Sequence, residues 1–364
     1  MNFDLSEDQA LLKAATERFA QAHYGGDVAR RRVYRSETTG FSAANWQALA
    51  DLGVMALPFA AADNGLGGGA IELITVFEAL GRGLVVEPIL DAIIVAGGLL
   101  DCAGTPEQRG QWLPGIITGT ARLALAHAET AARYNLAFVE TTAEPRGDGI
   151  VLTGRKDFVV AGSGADAFIV SARGGDGIGF YLVPAGAAGL ERRDYRIVDG
   201  GVASDLVLHD VRLPTSVKLR GGLEALDAVV ANASLAVAAE TIGLMALLLD
   251  TTVDYVKTRH QFGQALSKFQ VIQHRLADAY SAAEQARSMV YRAALAAPDM
   301  RAAAGAKAFV AEAGLIVGHT AIQLHGGMGM TDELLVGHAH KRIVMLSHIF
   351  GDSAAALDRY LQAA

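Results

Sequence analysis

The chain has 364 residues, of which 51% are hydrophobic and 19% charged, so it can bury a large core over two or three packed units. Its net charge of −8 argues against nucleic acid as a partner. The single cysteine, Cys102, excludes an intrachain disulfide and suits a reducing cytosol; we expect it to be a buried structural thiol.

The composition also argues against membrane insertion and export. The segment MNFDLSEDQA has neither a basic n-region nor an apolar h-region, so we expect no signal peptide. The longest apolar run, Ala92 to Leu100, is about half of the ~20 residues that a membrane span needs. We therefore predict a cytoplasmic protein.

Residues 1–120 are predicted to form an N-terminal helical domain. Ser6 followed by Gln9 is a capping-box pattern, and apolar residues then recur at helical spacing. The segment SAANWQALADLGVMAL predicts a second helix, stopped by Gly53 and Pro58. The glycine-rich segment NGLGGGAIE is predicted to be a loop that leads into a third helix.

Residues 121–220 are predicted to form a middle β domain. Short β-rich runs recur there, separated by Gly, Asp and Pro, and this spacing predicts a small barrel or sandwich. The runs are RLALAHAE, IVLTGRKDFVVAG, DAFIVSAR, GIGFYLVPA and SDLVLHDVRL.

Residues 221–364 return to helix and are predicted to form a C-terminal helical bundle. Three long segments without an interior proline support this: residues 233–259, 269–297 and 304–327. The first is apolar nearly all round, so we expect neighbours on several sides and take subunit contacts as their simplest source. Its apolar residues include Leu235, Val237, Ile242, Leu244, Met245 and Leu248. The predicted fold class is α+β, mainly α.

The segment TRHQFGQALSKFQVIQHRLAD, residues 258–278, breaks two of the predicted long helices. Arg259 is a fixed cation in that break, Phe262 offers an aromatic face, and glutamines add uncharged bonding groups at Gln261, Gln270 and Gln273. An Arg at the start of a loop with free backbone N–H groups can hold a diphosphate bidentately. The alternative is a helix–loop–helix in which Arg259 caps a helix C-terminus.

The segment QLHGGMGMTDE, residues 323–333, contains the pair Gly326–Gly327. Adjacent glycines let a phosphate or another chain approach the backbone closely. The segment is not a dinucleotide fingerprint, because a helix precedes it rather than a strand. A structural turn is the alternative interpretation.

These motifs, with PFAAADNGLGGG and GRKDFVVAGSGAD, resemble in order four segments of the acyl-CoA dehydrogenase family, and the resemblance covers the whole chain. Within the family the chain is most similar to small-subunit chains of the pimeloyl-CoA dehydrogenase type. The resemblance implies an N-terminal helical domain, a middle β-barrel or sandwich domain and a C-terminal four-helix bundle. It also implies FAD bound at a subunit interface.

The resemblance further implies which residues contact FAD. Arg259 and Phe262 would face the pyrophosphate and adenine of a neighbouring subunit's FAD. The matching positions are Leu266 and Gln270 near the adenosine, Gln323, Gly326 and Gly327 near the diphosphate, and Phe158, Val160 and Ala128 near the isoalloxazine, with Gln261 as a further cofactor-binding residue. The family's usual Thr–Glu–Pro–Gly–Ala–Gly–Ser pattern is poorly kept, because Glu129 survives while Ala128 replaces the Thr and Tyr134 the Ser.

The resemblance implies α,β-dehydrogenation of an acyl-CoA thioester, in which a carboxylate removes the α-proton while a hydride leaves to the flavin. Most members place a Glu just before Gly-Thr, but that position here is Phe350. Asp352 lies two residues on, where the Thr would stand, and is either a weak candidate for the base or a helix cap. Other members place the base on the long helix, where Ala233 stands; Glu240, about 10 Å further along, is expected to be a paired structural acid.

The remaining candidates are histidines. His338 and His340 form an H-x-H pair without a third ligand at metal spacing, so we predict solvated side chains and no metal. His325 and His348 either border the flavin or substrate or are packed helix residues.

The absent Glu favours an FAD-dependent acyl-CoA dehydrogenase subunit, in a homo- or hetero-tetramer with a larger chain, which passes electrons to electron-transfer flavoprotein. One alternative is a non-catalytic structural subunit that lends Arg259 and Phe262 to a partner's FAD. Another is a flavin oxidase or monooxygenase on the same fold.

Overall fold

The computed structural model of the protein describes residues 5–363, so the first four residues of the segment from which we predict no signal peptide lie outside the described part. The chain divides into two compact units. The first unit comprises Met1–Val33, Gly69–Val85 and Ser234–Ala364, and the second comprises Tyr34–Gly68 and Val86–Ala233. The division into domains 1–120, 121–220 and 221–364 stays a prediction.

The described residues are mainly helical, as predicted. The helices are α1 (Glu7–His23), α2 (Val28–Ser36), α3 (Ala43–Asp51), α4 (Ala70–Arg82), α5 (Gly98–Ala103), α6 (Pro106–Ile117), α7 (Leu223–Thr258), α8 (Gln270–Ala296), α9 (Met300–His325), α10 (Leu335–His348) and α11 (Ser353–Gln362). A π-helical segment, Leu90–Gly97, precedes α5. The three long helices predicted in the C-terminal part correspond to α7, α8 and α9.

The start of α1 confirms the predicted capping box. The Gln9 N–H donates to the Ser6 hydroxyl at 3.2 Å, and the Ser6 N–H donates to Gln9 Oε1 at 2.9 Å. These two bonds satisfy backbone donors that the first helical turn leaves without an intrahelical partner.

Helices α4 and α7 of the first unit cross at two glycines. A Cβ at Gly81 would lie 2.1 Å from the Glu240 carbonyl oxygen, and one at Gly243 would lie 2.0 Å from the Glu78 carbonyl oxygen. No side chain larger than hydrogen fits at either position without moving backbone, so this pair of glycines sets the approach of the two helices.

The apolar side chains of α7 are buried by the chain itself. Leu235, Ile242, Leu244 and Leu248 each expose 2% or less of their surface. The expectation that subunit contacts supply their neighbours is therefore wrong for these residues. By length and composition alone α7 could also cross a membrane, but 78% of its most apolar 18-residue stretch is buried in the structure, as in the core helix of a folded domain.

Two expectations for the second unit change. The helix observed in place of the predicted second helix is shorter than the predicted segment. It is α3, which ends at Asp51, and Gly53 then turns the chain with φ +83°. Cys102 is exposed, so its prediction as a buried thiol is wrong. Helix α5 directs its neighbours Leu99, Leu100 and Ala103 into the core, which leaves Cys102 on the outer face.

The middle β domain is a single curled sheet. Its strands are β1 (Leu123–Ala126), β2 (Thr142–Arg146), β3 (Gly149–Val160), β4 (Ala167–Gly174), β5 (Gly177–Pro184), β6 (Leu190–Arg196) and β7 (Val202–Pro214). The order is β1-β4-β2-β3-β7-β6, with β5 pairing β4. Both β1 and β2 run parallel to β4, and the other pairs are antiparallel.

The sequence patterns identify five of these seven strands and miss β2 and β6. Strand β2 contains Pro145, and β6 is a mostly exposed, charged edge strand with the sequence LERRDYR. Each pairs with the strand that follows it in the chain, but neither shows the apolar alternation on which strand prediction depends, because most of their side chains are exposed.

Candidate functional site

The break between α7 and α8 is a small hairpin. Its strands are β8 (His260–Gln261) and β9 (Gln264–Ala265), and the Leu266 N–H donates to the Arg259 carbonyl at 2.9 Å to close it. Phe262 stands at the tip with φ +56° and 89% of its surface exposed. The hairpin therefore presents an aromatic face that its own chain does not cover.

Arg259 stands at the base of this hairpin, immediately after α7. Its backbone N–H bonds the Tyr255 carbonyl at 2.8 Å, while its exposed guanidinium has no ion pair or hydrogen bond among residues 5–363. The alternative in which its side chain caps a helix therefore lacks the required contact. Gln261 and Gln270 are also exposed, whereas Leu266 is half-buried.

The glycine-rich segment follows α9 directly. The Gly326 N–H donates to the Gln323 carbonyl, and Gly326 has φ +62°, a conformation that favours glycine. A Cβ at Gly326 or Gly327 would meet no atom within 4 Å, and both glycines and Gln323 are exposed. The backbone here is open to a ligand or to another chain.

An aromatic stack joins the ends of α7 and α9. The rings of Tyr255 and His325 lie 4.3 Å apart at 23°. His325 is buried and its Nδ1 lies 2.9 Å from the Ala321 carbonyl, which is the packed-helix alternative for this residue. The stack brings the hairpin and the glycine-rich segment to one end of the bundle, a relationship that neither motif reveals alone.

In the second unit, strand β3 carries a bulge at Phe158. The pairing with β7 shifts between Lys156 and Val159, and Phe158 takes φ +56° with its ring 41% exposed. The Asp157 N–H donates to the Ala128 carbonyl at 2.9 Å. This bond brings two predicted flavin contacts, Ala128 and Phe158, to one place; the third, Val160, is half-buried two residues on.

A buried ion pair lies beneath the loop that follows β1. Lys156 Nζ lies 2.6 Å from Glu129 Oε1 and donates to the Ser171 hydroxyl at 2.8 Å. Thr141 also donates to Glu129, from its hydroxyl at 2.7 Å and its N–H at 3.1 Å. Burial opposes ionisation of Glu129, but bonds from Lys156, the Glu140 N–H and Thr141 lower its pKa overall.

Sequence reasoning notices Glu129 but misses its partner. Lys156 is fully buried, and burial lowers its pKa to about 8 although Glu129 acts to raise it. His127 contacts the same Ser171 hydroxyl at 3.0 Å, and burial followed by the charge of Lys156 lowers its pKa to about 4. The cluster holds the loop in place with every member bonded, so its role is structural.

The segment SHIFGDS connects α10 to α11. Phe350 has φ +58°, and its carbonyl accepts a bond from Arg359 NH1 at 2.7 Å. Lys307 Nζ donates to the carbonyls of Ser347 and Gly351, each at 3.1 Å. Two cations thus hold one carbonyl group in the last turn of α10 and two in the segment that follows, close to the helix end where the dipole favours positive charge.

Neither carboxylate near the expected base positions is free. Asp352 Oδ1 accepts the Ala355 N–H at 2.9 Å and caps α11, which is the geometry of the capping alternative. Glu240 is 6% exposed and accepts two bonds from Arg342, at 2.6 and 3.0 Å. It is the paired structural acid that the sequence predicts, and Ala233 on the same helix is buried.

The histidine pair of α10 is not solvated as predicted. His338 is buried, with Nδ1 3.1 Å from Arg31 NH1 and Nε2 3.0 Å from the Asp332 carbonyl. His340 is half-buried and stands 5.0 Å from His319. Arg31 of α2 contacts His338, and α9 packs against His340, so both side chains are enclosed by contacts that the H-x-H spacing does not reveal. Among residues 5–363 no three His, Cys, Asp or Glu side chains group to hold a metal.

Comparison with known proteins identifies the family to which this chain belongs. Acyl-CoA dehydrogenase family models match the chain over residues 6–120 (N-terminal domain), 124–211 (middle domain) and 220–363 (C-terminal domain). The chain is also 30% identical over 351 residues to "Probable acyl-CoA dehydrogenase YngJ" of Bacillus subtilis, over 92% of this chain and 91% of that protein. The chain belongs to the acyl-CoA dehydrogenase family.

Two solved structures with this fold each carry the names of two proteins, and one of them is described as a complex. The ChsE4-ChsE5 complex of Mycobacterium tuberculosis matches with a TM-score of 0.90 and 26% identity, covering 100% of this chain and 98% of that chain. A variant of the Tcur3481-Tcur3483 steroid ACAD matches with a TM-score of 0.88 and 31% identity, covering 98% of this chain and 97% of that chain.

Acyl-CoA dehydrogenases use FAD, and the exposed groups of the first unit fit parts of that cofactor. The unpaired guanidinium of Arg259 and the open backbone at Gly326–Gly327 suit a diphosphate. The uncovered ring of Phe262 suits the adenine face. Their assignment as FAD contacts stays a prediction, as does that of Ala128, Phe158 and Val160 in the second unit. Bound FAD supplies the hydride acceptor of the family reaction.

Proposed function

We propose that this chain is one subunit of a hetero-oligomeric, FAD-dependent acyl-CoA dehydrogenase whose partner is a second, larger chain of the same family. The observation that carries the proposal is Phe350, an apolar side chain at the position where most family members have the catalytic Glu. A phenyl ring cannot accept the α-proton, so a complete site requires a carboxylate from elsewhere.

The two acids that the sequence offers as other bases, Glu240 and Asp352, both make hydrogen bonds within the chain, and this supports the proposal. Glu240 is held at both oxygens by Arg342, and removing it from that pair would leave a half-buried cation without this partner. Asp352 has one oxygen committed to the N-terminus of α11. Asp352 remains the weaker candidate for a base within this chain, because proton abstraction would compete with capping.

The exposed hairpin defines what this subunit contributes. An uncovered Phe262 beside the unpaired Arg259 suits a cofactor held partly by another chain. The ChsE4-ChsE5 complex among the similar structures agrees with such an arrangement. We also propose a tetramer, electron-transfer flavoprotein as the electron acceptor, and a cytoplasmic location, which a single cysteine favours.

The test is anaerobic flavin reduction. The purified chain alone, and then together with candidate partner chains, is mixed with acyl-CoA thioesters of different chain length while flavin absorbance is followed. We expect bleaching only with the partner present. Full activity of the lone chain that survives both Asp352→Asn and Glu240→Gln would overturn the pairing and the Asp352 candidate together.

A second candidate function is a non-catalytic subunit that supports a partner's FAD. The same Phe350 favours it, because this chain could lend Arg259 and Phe262 without turning over substrate. Flavin counts per assembly separate the two: one FAD per chain supports a catalytic subunit, and FAD only in proportion to the partner supports this second function. Oxygen-dependent turnover without electron-transfer flavoprotein would instead indicate an oxidase.

A further inference from the structure

The bulge in β3 leaves two residues opposite one. Lys156 pairs with Leu206 and Val159 with Ser204, so Asp157 and Phe158 together face the single residue Asp205 of β7. A bulge of this kind interrupts the ladder and leaves backbone groups without their usual partners. The freed N–H of Phe158 requires an acceptor outside the ladder.

The Asp205 side chain takes the place of the missing ladder partner. Its Oδ1 accepts the Phe158 N–H at 3.3 Å and the Tyr195 hydroxyl at 3.0 Å. Its Oδ2 accepts Arg155 NH2 at 3.0 Å. Asp205 therefore ties β3, β6 and β7 together at the residue where β3 departs from regular pairing.

The neighbouring carboxylate completes the support. Asp157 Oδ1 lies 2.5 Å from Arg155 Nε, and its Oδ2 accepts the N–H and hydroxyl of Thr130 at 2.9 and 2.6 Å. Arg155 thus bridges Asp157 and Asp205. The bulge and the loop after β1 form one bonded assembly that carries both Phe158 and Ala128.

Phe158 needs such support because its conformation is unfavourable. A bulky residue at φ +56° is rare and persists only where surrounding contacts hold it. In return, Phe158 is 41% exposed at the bulge, next to the buried Val159. Strain of this kind concentrates at ligand-binding positions.

We infer that Asp205 is a positioning residue for the flavin: by accepting the Phe158 N–H it holds the bulge that aims the Phe158 ring at the cofactor. The inference rests on the proposed function, since it requires that this chain take part in binding FAD. Asp205 does not touch the reacting atoms itself and acts through Phe158.

The test compares Asp205→Ala with Asp205→Asn in the full-length chain, with its partner present where FAD binding requires one. The Asn side chain keeps an oxygen that can accept the Phe158 N–H, whereas Ala removes it. We expect Asp205→Ala to raise the FAD dissociation constant about tenfold, and Asp205→Asn to stay within about threefold of the parent protein. Amide hydrogen exchange of residues 157–159 should accelerate only in the Ala variant.

The control is Asp176→Ala, which removes another carboxylate that pairs with a cation, Lys218, in the same unit. It should leave both FAD affinity and exchange at the bulge unchanged. If Asp205→Ala does not fold, Asp205→Ser replaces it. The serine side chain is shorter than that of aspartate, so its hydroxyl is expected not to reach the Phe158 N–H.

Each result is decisive. If Asp205→Ala lowers the melting temperature but keeps the parental FAD affinity, then Asp205 has only a structural role and the inference is overturned. Parental exchange at residues 157–159 overturns it as well. Absence of any FAD from the parent assembly overturns the proposed function instead, and the two failures are therefore distinguishable.

Discussion

Arg342 of α10 holds Glu240 of α7 by two hydrogen bonds, from Nε to Oε1 at 2.6 Å and from NH2 to Oε2 at 3.0 Å. The pair joins two helices of the first unit, with Glu240 buried and Arg342 half-buried. Both oxygens of Glu240 are therefore engaged by Arg342. Glu240 lies on the same helix as Ala233, which stands at an alternative base position of the family.

Breaking this pair is expected to destabilise the protein while leaving any chemistry intact. Arg342→Met leaves the Glu240 carboxylate buried without its main cation and should lower the free energy of unfolding by about 3–5 kcal/mol. The double variant Glu240→Leu/Arg342→Met should recover most of that loss, as measured by urea denaturation. A double variant as unstable as the single would show that the bonds themselves, and not the orphaned charge, set the loss.

Substitution of glycine by alanine is expected to have opposite effects on stability at Gly243, in the crossing of α4 and α7, and at Gly110, in α6. Gly243→Ala should destabilise by about 1–3 kcal/mol, because its Cβ would lie 2.0 Å from the Glu78 carbonyl. Gly110→Ala is the control within a helix, since a Cβ there meets no atom within 4 Å; it should stabilise by up to about 1 kcal/mol. Thermal denaturation of both variants checks the signs, and a neutral Gly243→Ala would show that the helices can move apart.

Lys307 predicts a pH dependence of stability. Burial lowers its pKa to about 8 from an ordinary 10.5, although the charge of Asp352 acts to raise it. Between about pH 8 and pH 10.5 the Lys307 amine is protonated in the unfolded chain and neutral in the folded chain, so unfolding takes up a proton. Stability from this group therefore rises with pH from about 8 to 10.5, by about 1.4 kcal/mol per pH unit.

The check for Lys307 is urea denaturation across that pH range for the parent protein and Lys307→Met. The variant should lose this part of the slope, while Lys156, whose pKa burial lowers similarly, titrates in both proteins. Identical slopes for parent and variant would contradict the assignment.

Phe262 is expected to matter for the cofactor and not for stability. Its ring is 89% exposed, so Phe262→Ala should change the free energy of unfolding by less than about 0.5 kcal/mol. Loss of a stacking surface for adenine should weaken FAD binding by about 1–3 kcal/mol, measured by flavin titration of the apo assembly. Val198→Ala, an exposed apolar control in the second unit, should change neither quantity. Unchanged FAD affinity in the Phe262 variant would remove the hairpin from the cofactor site.

Phe350→Glu tests the meaning of the missing base directly. If only the carboxylate is lacking, the variant should reduce flavin with acyl-CoA about 10²–10⁴ times faster than the parent chain under the same conditions. Phe350→Gln matches it in size and shares the φ +58° backbone but cannot take a proton, so it should stay at the parental rate. Equal rates for the Glu and Gln variants would mean that the rest of the site is not built for catalysis in this chain.

Local patterns in the sequence determine a large part of this protein. The capping box at Ser6, the long helices and five of seven strands follow from spacing between near neighbours, and the ordered motifs identify the family. The substitution of Phe350 for the usual Glu is also visible without coordinates.

Only the tertiary structure decides which polar groups meet. Glu240 and Arg342 are 102 positions apart, and Lys156 reaches Glu129 across two strands of the sheet. The same holds for the burial of His338 and the exposure of Cys102, which depend on which helix face is covered. Propensity and periodicity report a residue's near neighbours along the chain, whereas charge pairing and burial depend on neighbours brought together by folding.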